Sequence, residues 1–407
     1  MIGSGIFLLP ASLAYYGGIS IIGWIVSAIG ALLLAKVFAT LSVKYPQSGG
    51  PYIYAKAGFG DFAGFLVAWG YWISICATNA AITVAMLSYL TVFFPILASS
   101  SILSILLGLS TIWGLTWVNI QGIKKAATLQ LVTTIMKVVP LILIAIVGLF
   151  YIDFNHFTPF NVSGKSNLQA ITETATLTLF AFLGLECATI PAENVKDANK
   201  TVSTATMLGT SIAIAVYVLG SMVVMGVISP ADLQQSEAPF ADAASLMWGE
   251  GARYIVAAGA VVSTFGALNG WLLMQGQIPV AAARDKMFHS AFGRTNSKGS
   301  PAIGIIISSI IVSIIMMLNF SKGFVKAFEF MILLSTLTVL VPYLFASATH
   351  ILTFYEKGKI MSWLLGSLAF LFSIWAVIGS GAEVVFWGFI LLMSGLPIYV
   401  WIKIKNR

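Results

Sequence analysis

The ten residues Met1-Ile2-Gly3-Ser4-Gly5-Ile6-Phe7-Leu8-Leu9-Pro10 constrain the fold of this chain more than any other stretch. They join a glycine-broken segment directly to an apolar run that continues to about residue 17. A helix interrupted within hydrocarbon frees backbone N–H and C=O groups, which are tolerated there only when buried in protein or lining a cavity. A helix restarting at Ile6 would aim the amides of Ser4 and Gly5, at its positive end, into such a cavity. That geometry suits a carboxylate or another anion. Glycines that only let two helices pack closely are the competing explanation of the same residues.

The membrane setting follows from composition. Hydrophobic residues make up 59% of the 407 and charged residues 9%, and mean hydropathy is +0.96, far from the composition of soluble domains. Apolar runs long enough to cross a bilayer are expected at about 1–17, 21–43, 62–94, 101–120, 129–151, 169–192, 203–228, 252–278, 302–320, 327–352, 361–380 and 384–402. That makes about twelve transmembrane helices, the first short, in one all-α domain. The half-helix expected ahead of Gly3 is largely missing, which predicts further residues before Met1 in the complete protein.

The formal net charge of +7 does not point to nucleic acid, because the basic residues sit in short loops between spans. With the N-terminus inside, sixteen of the 21 Lys and Arg fall at cytoplasmic ends, four (Lys165, Arg253, Lys322, Lys326) fall outside, and Lys137 stays in the membrane. The positive-inside rule then places both termini in the cytoplasm. Residues 44–60, rich in Gly and Pro, are expected to form a loop, as is the acidic outer stretch 229–251. The two cysteines, Cys76 and Cys187, fall in or beside spans and imply no disulfide framework. Three scattered histidines make a metal site improbable, and no cofactor is expected.

Span six carries a second interruption at Phe180-Ala181-Phe182-Leu183-Gly184-Leu185-Glu186, five spans after the first. Two broken segments in corresponding halves are the sequence pointer to an inverted-repeat transporter. On that division, 1–151 and 169–352 form the repeats and 361–404 adds two further helices. Polar residues within spans are then candidates for the site. Glu186 is a titrating or gating carboxylate, or a structural one bonded to freed backbone amides. Lys137, one turn before Pro140, either replaces a coupling cation or titrates when buried, or it is tied to carbonyls or snorkels to the interface. Asn79, Ser335 and Thr338 can bond a substrate side chain or act as glue between helices. Trp271, among small residues, can hold a cation on its ring face. No Ser/His/Asp set, nucleotide-binding loop or zinc-protease pattern occurs, so neither an enzyme nor ATP-driven transport is expected.

The two broken motifs, with Ser48-Gly49-Gly50-Pro51-Tyr52, Phe93-Phe94-Pro95-Ile96-Leu97, Gly270-Trp271-Leu272-Leu273, Leu340-Val341-Pro342-Tyr343-Leu344 and Ile374-Trp375-Ala376-Val377-Ile378-Gly379-Ser380-Gly381-Ala382, resemble the amino acid–polyamine–organocation superfamily. Within it the chain is most similar to the basic amino acid/polyamine antiporters, and especially to the branch exchanging arginine for agmatine. The resemblance implies the leucine-transporter fold of two inverted five-helix repeats plus two helices, a bacterial inner-membrane location and, commonly, a homodimer. It implies that Ser4 and the Gly5 amide take the substrate carboxylate, and that carbonyls of Met1, Phe180 and Leu183 take its amine. Trp271, Asn79, Ser335 and the pair Ser74-Ile75 would meet the side chain, while Tyr71, Glu186 and Tyr343 would serve gating or pH response. Phe180 stands where the arginine/agmatine branch has Trp, Ser74-Ile75 where it has a small residue and Cys, and Lys137 where it has no charge. A span-five Lys is instead similar to proton-coupled or neutral amino-acid members.

Three functions remain open on these residues: exchange of a basic amino acid for its decarboxylated amine, proton-coupled transport of neutral amino acids with Lys137 titrating, and a membrane sensor that binds amino acids without moving them.

Overall fold

A computed structural model describes residues 3–47, 49–122, 141–190, 197–320, 323–355 and 360–405. Met1 and Lys137 lie outside the described residues. The helices in chain order are α1 (Gly5–Ala14), α2 (Ser20–Lys44), α3 (Pro51–Leu90), α4 (Ile96–Ser99), α5 (Ser101–Ile120), α6 (Leu141–Tyr151), α7 (Asn167–Leu179) and α8 (Ala198–Val227). They continue with α9 (Pro230–Gln235), α10 (Pro239–Trp248), α11 (Glu250–Arg284), α12 (Ala302–Asn319), α13 (Phe324–Tyr355), α14 (Ile360–Ile378), α15 (Ala382–Met393) and α16 (Gly395–Lys405). Among the described residues, ten helical stretches are long and apolar enough to cross a membrane, and α1 and α6 are shorter apolar helices. The chain is an all-α, multi-span integral membrane protein.

Burial sorts these helices into a centre and a rim. The most apolar window of α3 is 94% buried, against 22% for α14 and 22% for Ala382–Lys405, so α3 runs through the protein while the last helices face lipid. α3 packs most extensively on α13 and next on α11, and α2 packs on α8 and α7. In hydrocarbon an apolar side chain gains nothing by leaving the lipid, so the centre is held by close packing and polar bonds between helices. Accordingly, Trp72 donates to Ser308 Oγ at 2.7 Å, Trp24 donates to Ser221 Oγ at 2.9 Å, and Thr116 and Ser309 share a bond of 2.7 Å. Both cysteines are free.

Three expected boundaries shift. Residues 44–60 are not all loop: α3 begins at Pro51, whose fixed φ suits a first helical position, and bends at Gly60, where φ is +82°. Residues 51–59 thus form a helical piece ahead of the span, which glycine alone lets turn into it. The stretch 229–251 folds into α9 and α10; Ser229 caps α9 by accepting from the Asp232 amide, with Pro230 following it. Helix α11 continues six residues beyond 278, through Pro279 to Arg284, because the partners lost at an intramembrane proline are recovered from packed neighbours.

Candidate functional site

The first break exists because Gly3-Ser4-Gly5 starts a helix inside the protein. Every residue of α1 is buried, and Ser4 occupies the N-cap position without bonding the helix through its side chain. Gly5 has a local reason to be glycine: a Cβ there would lie 2.9 Å from the Ala181 Cα. The two breaks therefore meet backbone to backbone. On the other side, α7 ends at Leu179, a tight turn covers Phe180–Phe182, and Leu183 leaves helical geometry at ψ 140°. Gly184 follows at φ +96°, a conformation that residues with a Cβ rarely adopt.

Between the breaks lies a cavity of about 20 Å³ lined by Gly3, Ser4, Gly5, Thr78, Ile82, Phe180, Ala181, Leu183 and Trp271. That volume holds about one water. The structure brings Ser4, Gly5, Phe180, Leu183 and Trp271 to one cavity. The Phe180 ring meets Phe328 of α13 edge-on at 5.9 Å, which covers one side.

The other expected side-chain contacts lie off the cavity wall. Ser74 Oγ and Ser335 Oγ are 3.1 Å apart, and Thr78 Oγ1 bonds Ser335 Oγ at 2.6 Å. This hydroxyl cluster joins α3 to α13 and reaches the cavity through Thr78. Asn79 donates from Nδ2 to Gln275 Oε1 at 2.8 Å, so its amide is engaged by α11. Ile75 is fully buried in the apolar core, and Thr338 donates within its own helix, to Leu334 O at 2.9 Å. Sequence reasoning missed Thr78, Ile82 and Gln275. The available signal was spacing: Ser74, Thr78 and Ile82 recur every four residues on one face of α3, and Gln275 lies one turn beyond Trp271.

Just past the second break, Glu186 is fully buried. Tyr71 donates to its Oε1 at 2.6 Å and Tyr343 to its Oε2 at 2.6 Å, so one carboxyl ties α3 and α13 to the interrupted helix. Nearer the Lys- and Arg-rich end, Tyr52 and Lys56 of α3 both donate to Asp285, which follows α11; the Lys56 bond is 2.7 Å. Burial alone raises the Asp285 carboxyl, but the bonds from Lys56 and Tyr52 outweigh it and hold the group below the usual carboxylate range. Nearby, the Gly49 amide donates to Ile190 O at 2.9 Å, fastening this end of α3 to the chain beyond the second break. No group of three or more His, Cys, Asp or Glu gathers as for a metal among the described residues.

Comparison with known proteins places this geometry. The amino acid permease family profile matches residues 1–402. A cadaverine/lysine antiporter of Escherichia coli (strain K12) is 36% identical over 322 residues, covering 78% of this chain and 71% of the relative. An arginine/ornithine antiporter of Pseudomonas aeruginosa is 34% identical over 377 residues, covering 88% of this chain and 77% of the relative. Among solved structures, the Eremococcus coleocola manganese transporter aligns with a TM-score of 0.58 at 16% identity, over 99% of this chain and 93% of that one. That likeness concerns the fold alone.

Proposed function

The chain belongs to the basic amino acid/polyamine antiporter family of the amino acid–polyamine–organocation superfamily; it is a secondary active transporter and not an enzyme, and we propose that it exchanges a cationic, arginine-like α-amino acid for its decarboxylated, agmatine-like amine. The relatives' own names, arginine/ornithine and cadaverine/lysine antiporter, support a basic substrate and leave two kinds of counter-substrate to compare, an amine and a second basic amino acid. In this reading 1–151 and 169–352 are inverted repeats, 361–404 adds two helices, and both termini face the cytoplasm of a bacterial inner membrane. The same reading includes a homodimer.

One observation carries the proposal. A single cavity is bounded by a helix N-terminus at Ser4 and Gly5, by the end of another helix at Phe180–Leu183, and by Trp271, and among the described residues no carboxylate lines it. Amides at a helix start favour the substrate carboxylate, and carbonyls at a helix end favour its ammonium. A zwitterionic head fits that pair, and the amine product keeps only the second half of it. A cationic side chain then rests on the aromatic faces of Phe180 and Trp271, worth roughly 0.5–2 kcal/mol each. Glu186, held by two tyrosines, couples site occupancy to the packing of α3 against α13. Lys137, the titrating group of the proton-coupled neutral reading, lies outside the described residues.

The test is counterflow in liposomes loaded with unlabelled arginine, with labelled arginine, agmatine, ornithine or leucine outside. Accumulation of arginine and agmatine, and not of leucine, supports the proposal; ornithine accumulating in place of agmatine would make the counter-substrate a second basic amino acid. Leucine counterflow from leucine-loaded vesicles with arginine inert would move the protein to the neutral branch. Binding without accumulation of any label would make it a sensor.

A further inference from the structure

Behind the cavity wall formed by Thr78, Ile82 and Trp271 lies a chain of amides whose orientation is fixed. Gln275 donates from Nε2 to Ile305 O at 3.2 Å and to Ser309 Oγ at 3.0 Å. A backbone carbonyl only accepts, so the Gln275 amide must turn its nitrogen toward α12 and its Oε1 toward α3. Oε1 in turn requires a donor, and Asn79 meets it with Nδ2 at 2.8 Å. Both amides are fully buried. The consequence falls on the remaining atom: Asn79 Oδ1 is buried and has no hydrogen-bond partner. A carbonyl oxygen left in that condition costs roughly 1–3 kcal/mol, recovered when a donor enters.

We infer that Gln275 is a specificity-determining positioning residue, which locks Asn79 so that the deep end of the site offers an acceptor to the ammonium or guanidinium of the substrate side chain. Asn79 adjoins Thr78 and sits three residues before Ile82 on α3, while Gln275 sits one turn past Trp271 on α11, so the pair lies immediately behind the wall. The Ser74, Thr78 and Ser335 hydroxyls cannot impose this sign, since a hydroxyl rotates to donate or accept. A locked amide cannot. The inference rests on the cationic-substrate reading above.

The experiment measures exchange of labelled arginine by the full chain in liposomes, with its KM and kcat, and its inhibition by norleucine, an apolar analogue of lysine. In Gln275→Met, Asn79 is free to turn; the ratio of norleucine KI to arginine KM should fall about tenfold, with kcat within about twofold, as expected for one bond to a charged group. Gln275→Asn, too short to hold α12 and Asn79 together, should shift the ratio the same way and serves if the Met variant does not fold. In the double variant Gln275→Met with Asn79→Leu, the ratio should be no lower than in Asn79→Leu alone, because the first residue acts through the second.

An unchanged ratio in both the Met and Asn variants, or additive losses in the double variant, would overturn the inference while leaving the substrate reading intact. Absence of arginine and lysine counterflow in the unsubstituted chain would overturn both, and that failure is visible before any variant is made.

Discussion

The two broken helices present opposite chemistry at one point. The first break begins a helix, so Ser4 and Gly5 offer amides; the second ends one at Phe180–Leu183 and offers carbonyls, with the Glu186 carboxyl just beyond. The first is held by steric closeness, Gly5 lying against the Ala181 backbone. The second is held by backbone conformation at Gly184 and by the two tyrosine bonds to Glu186. On the proposed reading, a substrate head with one negative and one positive end is recognised by these two backbone ends, with no charged side chain lining the cavity among the described residues. The rest of the site is then left to read the substrate's side chain.

The sharpest way to break this pairing is to push the two breaks apart. Gly5→Leu places a Cβ 2.9 Å from the Ala181 Cα, backbone that no rotamer change can move aside. Arginine counterflow should drop more than about 100-fold, while the protein still inserts and elutes as a single species in detergent. Counterflow within tenfold of the unsubstituted protein would mean that the breaks need not meet.

Next in size is the carboxyl that serves only the second break. Glu186→Ala leaves the Tyr71 and Tyr343 hydroxyls without their acceptor, about 1–3 kcal/mol for each buried group, and unties α3 and α13 from the interrupted helix. Thermal stability in detergent should fall measurably and exchange should slow by at least tenfold. Glu186→Gln keeps an amide able to pair with both hydroxyls and should recover most of the stability. If Gln recovers stability but not exchange, the carboxyl's charge is needed for transport beyond its packing role.

Phe180 tests the shared wall. Replacing it by Leu keeps the bulk and removes the ring face, so the arginine KM should rise between about twofold and thirtyfold, as a cation–π contact of 0.5–2 kcal/mol implies. Phe180→Trp should lower it, because indole is the better cation acceptor. A leucine variant with unchanged KM would show that the substrate cation lies elsewhere.

These residues also show what was legible in the sequence. The breaks were legible because glycine in an apolar run is costly unless it is needed, and Gly5 proved to sit at a close approach and Gly184 at a left-handed turn. Spans were legible from hydropathy, but their ends were not: Pro51 falls in the expected loop yet is the first residue of α3, where a proline loses no bond, and Pro279 lies inside α11, where the freed Gln275 carbonyl accepts from Ser308 Oγ. Glu186 was conspicuous as a charge in the membrane, yet its two tyrosine partners, on α3 and α13, are 115 and 157 residues away. Gln275 gave no such sign, being neutral and one of several polar residues in α11. Spacing puts it one turn past Trp271, but its importance comes from what it touches on α3 and α12, and spacing does not reveal those contacts.

The smallest effect is expected at the Lys56–Asp285 pair, which bears on the second break indirectly, through neighbours such as the bond from Gly49 to Ile190 O. Both side chains are about one-third exposed, at 35% and 34%, so solvent screens the pair and its contribution is modest. The Asp285 carboxyl is held below its usual value, so its stabilisation is fully present above the unfolded carboxylate pKa, about 3.9, and is lost only as pH falls through the lower folded value. Between pH 7 and pH 5 the pair should therefore stay intact, and any pH dependence of exchange in that range must arise elsewhere. Lys56→Ala removes one of the two donors and leaves Tyr52. Deuterium uptake over residues 51–59 should rise at a fixed pH, while exchange changes by no more than about twofold. A larger change in exchange would make this contact a true gate of the end we assign to the cytoplasm, and would place control of the second break at the periphery as well as at Glu186.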